Sequence, residues 1–280
     1  MTDTERKTVL LTGSGSGLGR AARSLFAERG WNIASTSRTV TAEHADAGSD
    51  RVLVLPLDAR DSAAVSAAFT ATIARFGRVD CVVNNAGVGL FSVFEATPMA
   101  VVRDLFETNV FGLMQVTQAA VRHFRDAGGG RLVNLSSGAG IVPEPLMSVY
   151  AATKFAVEGF TESLRYELAS EQVSVALIEP GLVMGTGFLP RTAQSSAAVP
   201  VPAPYQSLVG QMSAVWQHEP PSGLATEAAV AEAILAAATD DPPRLRYVVG
   251  EDAQTSARMR RQTSETEYDA WAIGRYPAPA

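Results

Sequence analysis

The stretch Ser148 to Phe160, SVYAATKFAVEGF, sets a phenol at Tyr150 and an ammonium at Lys154 four residues apart. At helical spacing the two side chains share a face, so the charge of Lys154 bears on the Tyr150 hydroxyl. A free phenol is a poor acid or base at neutral pH, and bringing it from about 10 to about 7 takes about 4 kcal/mol. A unit charge about 4 Å away supplies on the order of 4 kcal/mol at an effective dielectric of 20, so the pair has the means to handle a proton. Taken alone, it is also an ordinary neighbour pair on an amphipathic helix.

A second stretch is built for anions. VLLTGSGSGLGRAARSLF runs from an apolar strand through Gly13, Gly15, Gly17 and Gly19 into an amphipathic helix. Amides at a helix N-terminus bind anions, and glycine lets the backbone approach closely, as a pyrophosphate requires. The spacing is not GxGxxG, so the general dinucleotide fingerprint is not met. The candidate loop contacts are Gly13, Ser14, Ser16, Gly17, Leu18 and Gly19. In a dinucleotide fold, an acid at the end of the second strand holds the ribose 2′-hydroxyl, whereas an arginine accommodates a 2′-phosphate. ASTSRTV offers Ser37 and Arg38 there, with a guanidinium that forks onto phosphate oxygens and stacks on adenine, and with Ser35 to Ser37 as hydroxyl donors. The expectation is NADP(H), with NAD(H) as the alternative if Arg38 is simply a solvent-facing side chain.

These groups need a frame, and the chain supplies one. Short apolar runs (KTVLLT, WNIAST, RVLVLPL, VDCVVNN) alternate with helix-period stretches at Gly17 to Arg29 and Ser62 to Phe76. A long helix beginning at Thr97-Pro98, with Thr97 as N-cap and a stop at Gly128 to Gly130, leads to the strand RLVNLS, the helix of Tyr150, and the strand VSVALIEP. The fold class expected is α/β: a single Rossmann-type, doubly wound domain over residues 1–280, with a mostly parallel sheet and helices on both faces. Residues 182–223 lose the pattern, hold six prolines, and read as a substrate lid or loop. A helix from Thr226, a strand LRYVVG and a polar C-terminal extension over 251–280 complete the chain.

With TGSGSGLG at Thr12 to Gly19, NNAG at Asn84 to Gly87 and YAATK at Tyr150 to Lys154, residues 8 to 188 resemble the short-chain dehydrogenases/reductases. FETNVFG through LIEPG is similar to the branch holding 17β-hydroxysteroid and retinol dehydrogenase-like members. The resemblance implies a catalytic tetrad of Asn109, Ser137, Tyr150 and Lys154, Ser137 being selected over Ser136 because it stands thirteen residues before the tyrosine. It implies further cofactor contacts at Asp58 and Ala59 beside adenine, at Asn85, Ala86 and Gly87, and at Pro180, Gly181 and Val183 near nicotinamide, with Asn109, Tyr150 and Lys154 also touching the cofactor. Where the family has a threonine five residues after that proline, this chain has Gly185, with Thr186 one later. Either a one-residue bulge restores the contact or a backbone amide replaces it.

On that resemblance Tyr150 gives the proton, NADPH the hydride, Ser137 holds the substrate oxygen, and Asn109 feeds protons toward Lys154 through backbone and water contacts. The function implied is an NADP(H)-dependent oxidoreductase interconverting a secondary alcohol and a carbonyl. The alternative is a regulatory NADP(H)-binding sensor without turnover, which has no need of the full tetrad. Pocket walls from Val88 to Phe94, Gly138 to Glu144 and the lid are largely apolar, so a fairly apolar carbonyl or alcohol substrate is expected. Glu144 is open between a substrate contact and a solvent-facing loop residue. The Tyr150 helix carries small and apolar groups on more than one face, and in the family it commonly builds a homodimer or homotetramer.

The bulk composition bounds the rest. A net charge of −6 argues against nucleic-acid partners and anionic membranes. A single cysteine, Cys81, and an N-terminus without an apolar signal core point to a cytoplasmic location. No segment has the apolar length of a membrane span. His44, His123 and His218 are scattered without metal spacing, so no metal is expected, and RMRR near Arg258 reads as a solvated face.

Overall fold

The first apolar run, Thr8–Leu11, is buried at every position, and so is Cys81–Asn84. Strands covered on both faces have no polar alternation to keep, and these two are the centre of a parallel sheet. The computed structural model describes residues 6–40, 50–217 and 223–276. In it β1 (Thr8–Leu11), β2 (Asn32–Ser37), β3 (Val52–Pro56), β4 (Cys81–Asn84), β5 (Gly130–Leu135), β6 (Val173–Pro180) and β7 (Arg246–Val249) form one sheet in the order β3-β2-β1-β4-β5-β6-β7, with every neighbouring pair parallel. The order reverses between β1 and β4. Beyond the carboxyl ends of these two strands lies the crevice where such sheets bind ligands.

Helices cover both faces, as a Rossmann-type doubly wound fold demands. They are α1 (Gly17–Glu28), α2 (Ser62–Phe76), α3 (Met99–Phe106), α4 (Leu113–Ala127), α5 (Ser148–Glu167), α6 (Phe188–Ala197), α7 (Gln206–Gln217), α8 (Glu227–Thr239), α9 (Glu251–Gln262) and α10 (Glu265–Gly274). On one face Phe26 of α1 meets Trp31 edge-on, with centroids 5.0 Å apart, beside Val230 and Ile234 of α8. On the other, Phe69 of α2, Val116 and Phe124 of α4 and Leu164 of α5 cover the sheet. Asp61 caps α2 by accepting from the amides of Ala63 (2.8 Å) and Ala64 (3.2 Å), and Gly77 and Gly128, both left-handed, end α2 and α4.

Three segments differ from the sequence reading. Pro98, not Thr97, occupies the N-cap of α3, because the Thr97 hydroxyl donates back to Val93 O at 2.8 Å and shares a 2.8 Å hydrogen bond with the Ser92 hydroxyl. The helix that follows is broken by a wide π turn over Glu107–Gly112 before continuing as α4. The region 182–223, read as irregular, contains α6 and α7; Pro190 lies in the first turn of α6, where its missing N–H breaks no intrahelical bond. The expected polar extension folds into α9 and α10, whose Ala257 and Tyr268 pack on Ile141 and Val142. Among the described residues no helix is long and apolar enough to cross a membrane.

Candidate active site

The glycine loop and NNAG, 72 residues apart, are sewn together at the mouth of the crevice. Thr12 Oγ1 accepts from the amides of Asn85 (3.0 Å) and Ala86 (3.1 Å), while Asn85 Nδ2 donates to the carbonyls of Thr12 and Gly13, both at 2.9 Å. The approach is too close for side chains. A Cβ on Gly13 (φ 64) would lie 2.9 Å from Ala86 Cα, and one on Gly19 would lie 2.4 Å from Gly13 O. Ser16 caps α1 in extended conformation with no side-chain cap bond, so the first amides of the helix keep their donors.

Two expected hydroxyl sources are spent inside the protein. Ser14 is fully buried, gives its N–H to Thr36 O (2.9 Å) and shares a 2.8 Å hydrogen bond with Ser35 Oγ. The Thr36 hydroxyl donates to Leu11 O at 2.9 Å. Ser14, Ser35 and Thr36 therefore pin the loop to the end of β2, and the half-buried Ser37 and the exposed Arg38 follow there. Arg38 lies near enough to Asp58 for its charge to be felt there. Asp58 itself is gripped by Arg60 through Nη2 (2.9 Å), Nε (3.1 Å) and the backbone amide (3.0 Å), which holds its carboxyl below the usual range. Arg60 also reaches Asp104 at 2.8 Å, so the β3 loop is tied to α3. Ala59 packs against Gly112, where a Cβ would meet its own at 3.1 Å.

Four further residues converge beyond β4 and β5. Tyr150, 6% exposed, has its phenol pushed up to about 12 by burial, while the neighbouring Ser137 hydroxyl pulls the other way. Ser137 caps the tight turn Gly138–Gly140, its Oγ accepting from Ala139 N at 3.2 Å. Lys154 Nζ stands 5.7 Å from the Tyr150 ring centroid and donates to Leu135 O at 3.0 Å. Burial lowers the ammonium to about 8, and Glu158 opposes that shift. Asn109 lies in the π turn, a widening that is common at functional sites. Its Oδ1 accepts from Val88 N at 2.9 Å, while its Nδ2 donates to Val88 O at 2.9 Å and to Thr153 Oγ1 at 3.1 Å. Thr153 in turn donates to Tyr150 O at 2.7 Å, so Asn109 clamps the NNAG segment to the helix of Tyr150. Gly87 sits at the centre, where a Cβ would be 3.4 Å from Asn109 Oδ1 and 3.9 Å from Lys154 Nζ.

The turn after β6 is fixed from the C-terminal end of the chain. Gly181 donates to Val249 O (2.8 Å), and Leu182 N–H donates to Asp252 Oδ2 (2.7 Å); a Cβ on Gly181 would strike the Asp252 carboxylate. Val183 bridges to Ala225. Gly185 takes φ 82, a left-handed step, and Thr186, 7% exposed, lies against Gly17, where a Cβ would be 3.4 Å from its own. The helix that follows packs against these residues: the Phe188 ring lies 5.9 Å from that of Tyr150, and Ser196 Oγ accepts from Phe91 N at 2.9 Å. Glu144 forms an ion pair with Arg275 at 2.8 Å, tying the loop between Ser137 and Tyr150 to the end of α10.

A profile described as short chain dehydrogenase matches residues 7–196. The chain belongs to the short-chain dehydrogenase family. An uncharacterised oxidoreductase of Schizosaccharomyces pombe is 32% identical over 268 residues, covering 94% of this chain and 88% of that one. A solved short-chain dehydrogenase from Streptomyces avermitilis superposes with a TM-score of 0.81 at 30% identity, over 96% of this chain and 97% of that one. ElxO with NADP bound (TM-score 0.72, 25% identity, 87% and 97% covered) and a 3-ketoacyl-(acyl-carrier-protein) reductase from Brucella melitensis complexed with NADH (0.72, 25%, 86% and 96%) share the fold. This short-chain dehydrogenase thus has an oxidoreductase family and a Rossmann-type frame.

Sequence reasoning missed Thr12, Thr153, Asp252 and Arg275. Thr12 borders the glycine loop and was open to notice as the hydroxyl at its start; the other three act through tertiary contacts that no local spacing announces. His123, with Nε2 at 3.1 Å from Val79 O, packs between Phe69 and Phe124, and Cys81 is fully buried with its thiol pushed up by desolvation. His44, His218, Pro220 and Pro221 lie outside the described residues. Arg261 of RMRR turns inward to Glu179 at 2.6 Å instead of lying on a solvated face.

Proposed function

We propose that this chain is an NADP(H)-dependent oxidoreductase that interconverts a secondary alcohol and a carbonyl on a fairly apolar small molecule. The observation that carries the reading is the convergence of Tyr150, Ser137 and Lys154 beside a glycine loop that admits no Cβ at Gly13 or Gly19. A dinucleotide fits that cradle: Gly13, Gly17 and Gly19 with the amides of α1 would take the pyrophosphate, Ser37 and Arg38 the adenosine ribose, Asp58 and Ala59 the adenine side, and Asn85 to Gly87, Pro180, Gly181, Val183 and Thr186 the nicotinamide half. When bound, it supplies or accepts the hydride. Structural neighbours hold NADP or NADH, and Arg38, where an acid would repel a 2′-phosphate, favours NADP(H) here.

The chain's own residues do the proton work. Ser137 donates to the substrate oxygen and keeps it within reach of Tyr150, which gives its phenolic proton to that oxygen in reduction and removes it in oxidation. Lys154 favours the phenolate by its charge. Asn109 holds Val88 and Thr153, and so the register between the cofactor strand end and α5. Leu90, Val149, Val199 and Phe188 around Tyr150 support an apolar substrate. Phe155, Gly159 and Tyr166 share one outward stripe of α5, with Phe155 and Tyr166 exposed, which supports pairing of subunits as a homodimer or homotetramer. The test is a panel of ketones, aldehydes and alcohols followed by NADPH absorbance, with KM for NADPH and NADH compared. Turnover with a lower KM for NADPH is expected, and no turnover on any class, or a preference for NADH, contradicts the proposal.

A further inference from the structure

One turn beyond Lys154 on α5, Glu158 is 7% exposed and its Oε2 lies 3.2 Å from Arg246 Nη2. Glu179, next to Pro180 at the end of β6, is fully buried and its Oε1 takes Arg246 Nε at 3.1 Å and Arg261 Nη2 at 2.6 Å. The second oxygen of each, Glu158 Oε1 and Glu179 Oε2, is buried without a well-formed partner, and so is Ser136 Oγ beside Glu158. Orphaned buried carboxylate oxygens are costly. Both carboxyls are held by the one guanidinium of Arg246, Glu158 on Nη2 and Glu179 on Nε, which gathers them at one point, and a single proton held between them relieves both orphans, one acid donating to the other.

The cluster abuts the site. The space left by Gly140 is bounded by Ser136 Oγ (2.6 Å from a Cβ placed there), Glu158 Cγ (3.2 Å) and Lys154 Cβ (3.3 Å), so no side chain separates the acid from the lysine stem. The charged groups facing it are Lys154 and Glu162 on α5, Glu179 on β6, Arg246 on β7 and Arg261 on α9, and Glu162 is also paired with Arg246.

We propose that Glu158 and Glu179 share one proton, and that Glu158 is a positioning residue whose charge keeps Lys154 an ammonium as pH rises. The proposal rests on the catalytic reading of Tyr150 and Lys154 given above. Burial, followed by the charge of Glu179, pushes Glu158 up to about 7, while burial brings Lys154 down to about 8. As the pair gives its proton to solvent, a full negative charge appears one helical turn from Lys154 and opposes loss of the ammonium proton. Without that charge Lys154 is neutral nearer to physiological pH, and Tyr150 loses the cation that favours its phenolate.

Two substitutions move the site in opposite directions. Glu158→Gln removes the compensating charge and should raise the ascending limb of kcat/KM for alcohol oxidation by roughly one pH unit. Glu179→Gln leaves Glu158 with guanidiniums and no rival carboxylate, so Glu158 ionises earlier and the limb should fall. Glu158→Asp, which keeps a carboxyl, should move the limb back toward wild type. Damage to packing alone moves both variants the same way; equal or absent limb shifts overturn the proposal. Infrared titration of the cofactor-free protein gives a readout independent of turnover, and of whether Glu158→Gln folds. A carboxylic-acid carbonyl band in the wild type that vanishes as pH rises through about 7 and is lost in Glu179→Gln supports the shared proton whatever becomes of the catalytic reading; a wild-type protein without it overturns the proposal.

Discussion

Replacing Lys154 by methionine keeps an unbranched stem and deletes the charge. Its Nζ stands 5.7 Å from the Tyr150 ring centroid. At an effective dielectric of 20 a unit charge at that separation is worth about 3 kcal/mol, or about two pKa units. Burial already pushes the phenol up to about 12, so the loss falls on a group far from neutrality. The variant should oxidise alcohols about a hundredfold more slowly near neutral pH, with the ascending limb displaced upward by about two units. Stability must be followed separately, because Leu135 O loses its 3.0 Å donor, at a cost of about 1–3 kcal/mol, against relief from a buried charge. Thermal unfolding and NADPH titration give that control, and kcat/KM across pH gives the result. A folded Lys154→Met protein that keeps wild-type kcat/KM with an unmoved limb would refute the role given to the charge.

Other expectations follow from the same geometry. In Gly19→Ala the new Cβ meets Gly13 O at 2.4 Å and Ser14 Cα at 2.7 Å, both backbone; the loop must shift at a cost of about 1–3 kcal/mol, and NADPH fluorescence titration should show binding weaker by about tenfold or more. An unchanged Kd would show that this loop is not the cradle. Glu158 has a folded-state pKa raised from 4.5 to about 7, so between those values the folded protein keeps a proton that the unfolded chain has released, and its stability falls as pH rises through that window. Glu158→Gln should flatten this slope in denaturant melts, and an equal slope in both proteins would contradict the assignment.

Much of the frame could be read from the sequence because buried parallel strands and amphipathic helices leave strong local signatures: β1 and β4 are apolar at nearly every position, and Ser62–Phe76 is the helix its period indicates. Tyr150 and Lys154 were legible as a pair at helical spacing, whereas Ser137 and Asn109 were reached only through the family resemblance. What stayed hidden was set by tertiary contact. Prolines masked α6 and α7, although a proline in a first turn leaves a helix intact. The hydroxyls of Ser35 and Thr36 looked available until the fold turned them on Ser14 and Leu11. Asp252 and Arg275 reach the site from helices that read as a polar tail, across 70 and 131 residues of sequence.

The phenol of Tyr150 carries the proposed chemistry. Tyr150→Phe removes one oxygen and keeps the ring beside Phe188, so NADPH affinity and thermal stability should match wild type. Turnover measured by NADPH absorbance on any active carbonyl should fall about 10²–10⁴-fold, the share that a positioned acid supplies. A Tyr150→Phe enzyme with wild-type kcat would contradict the account.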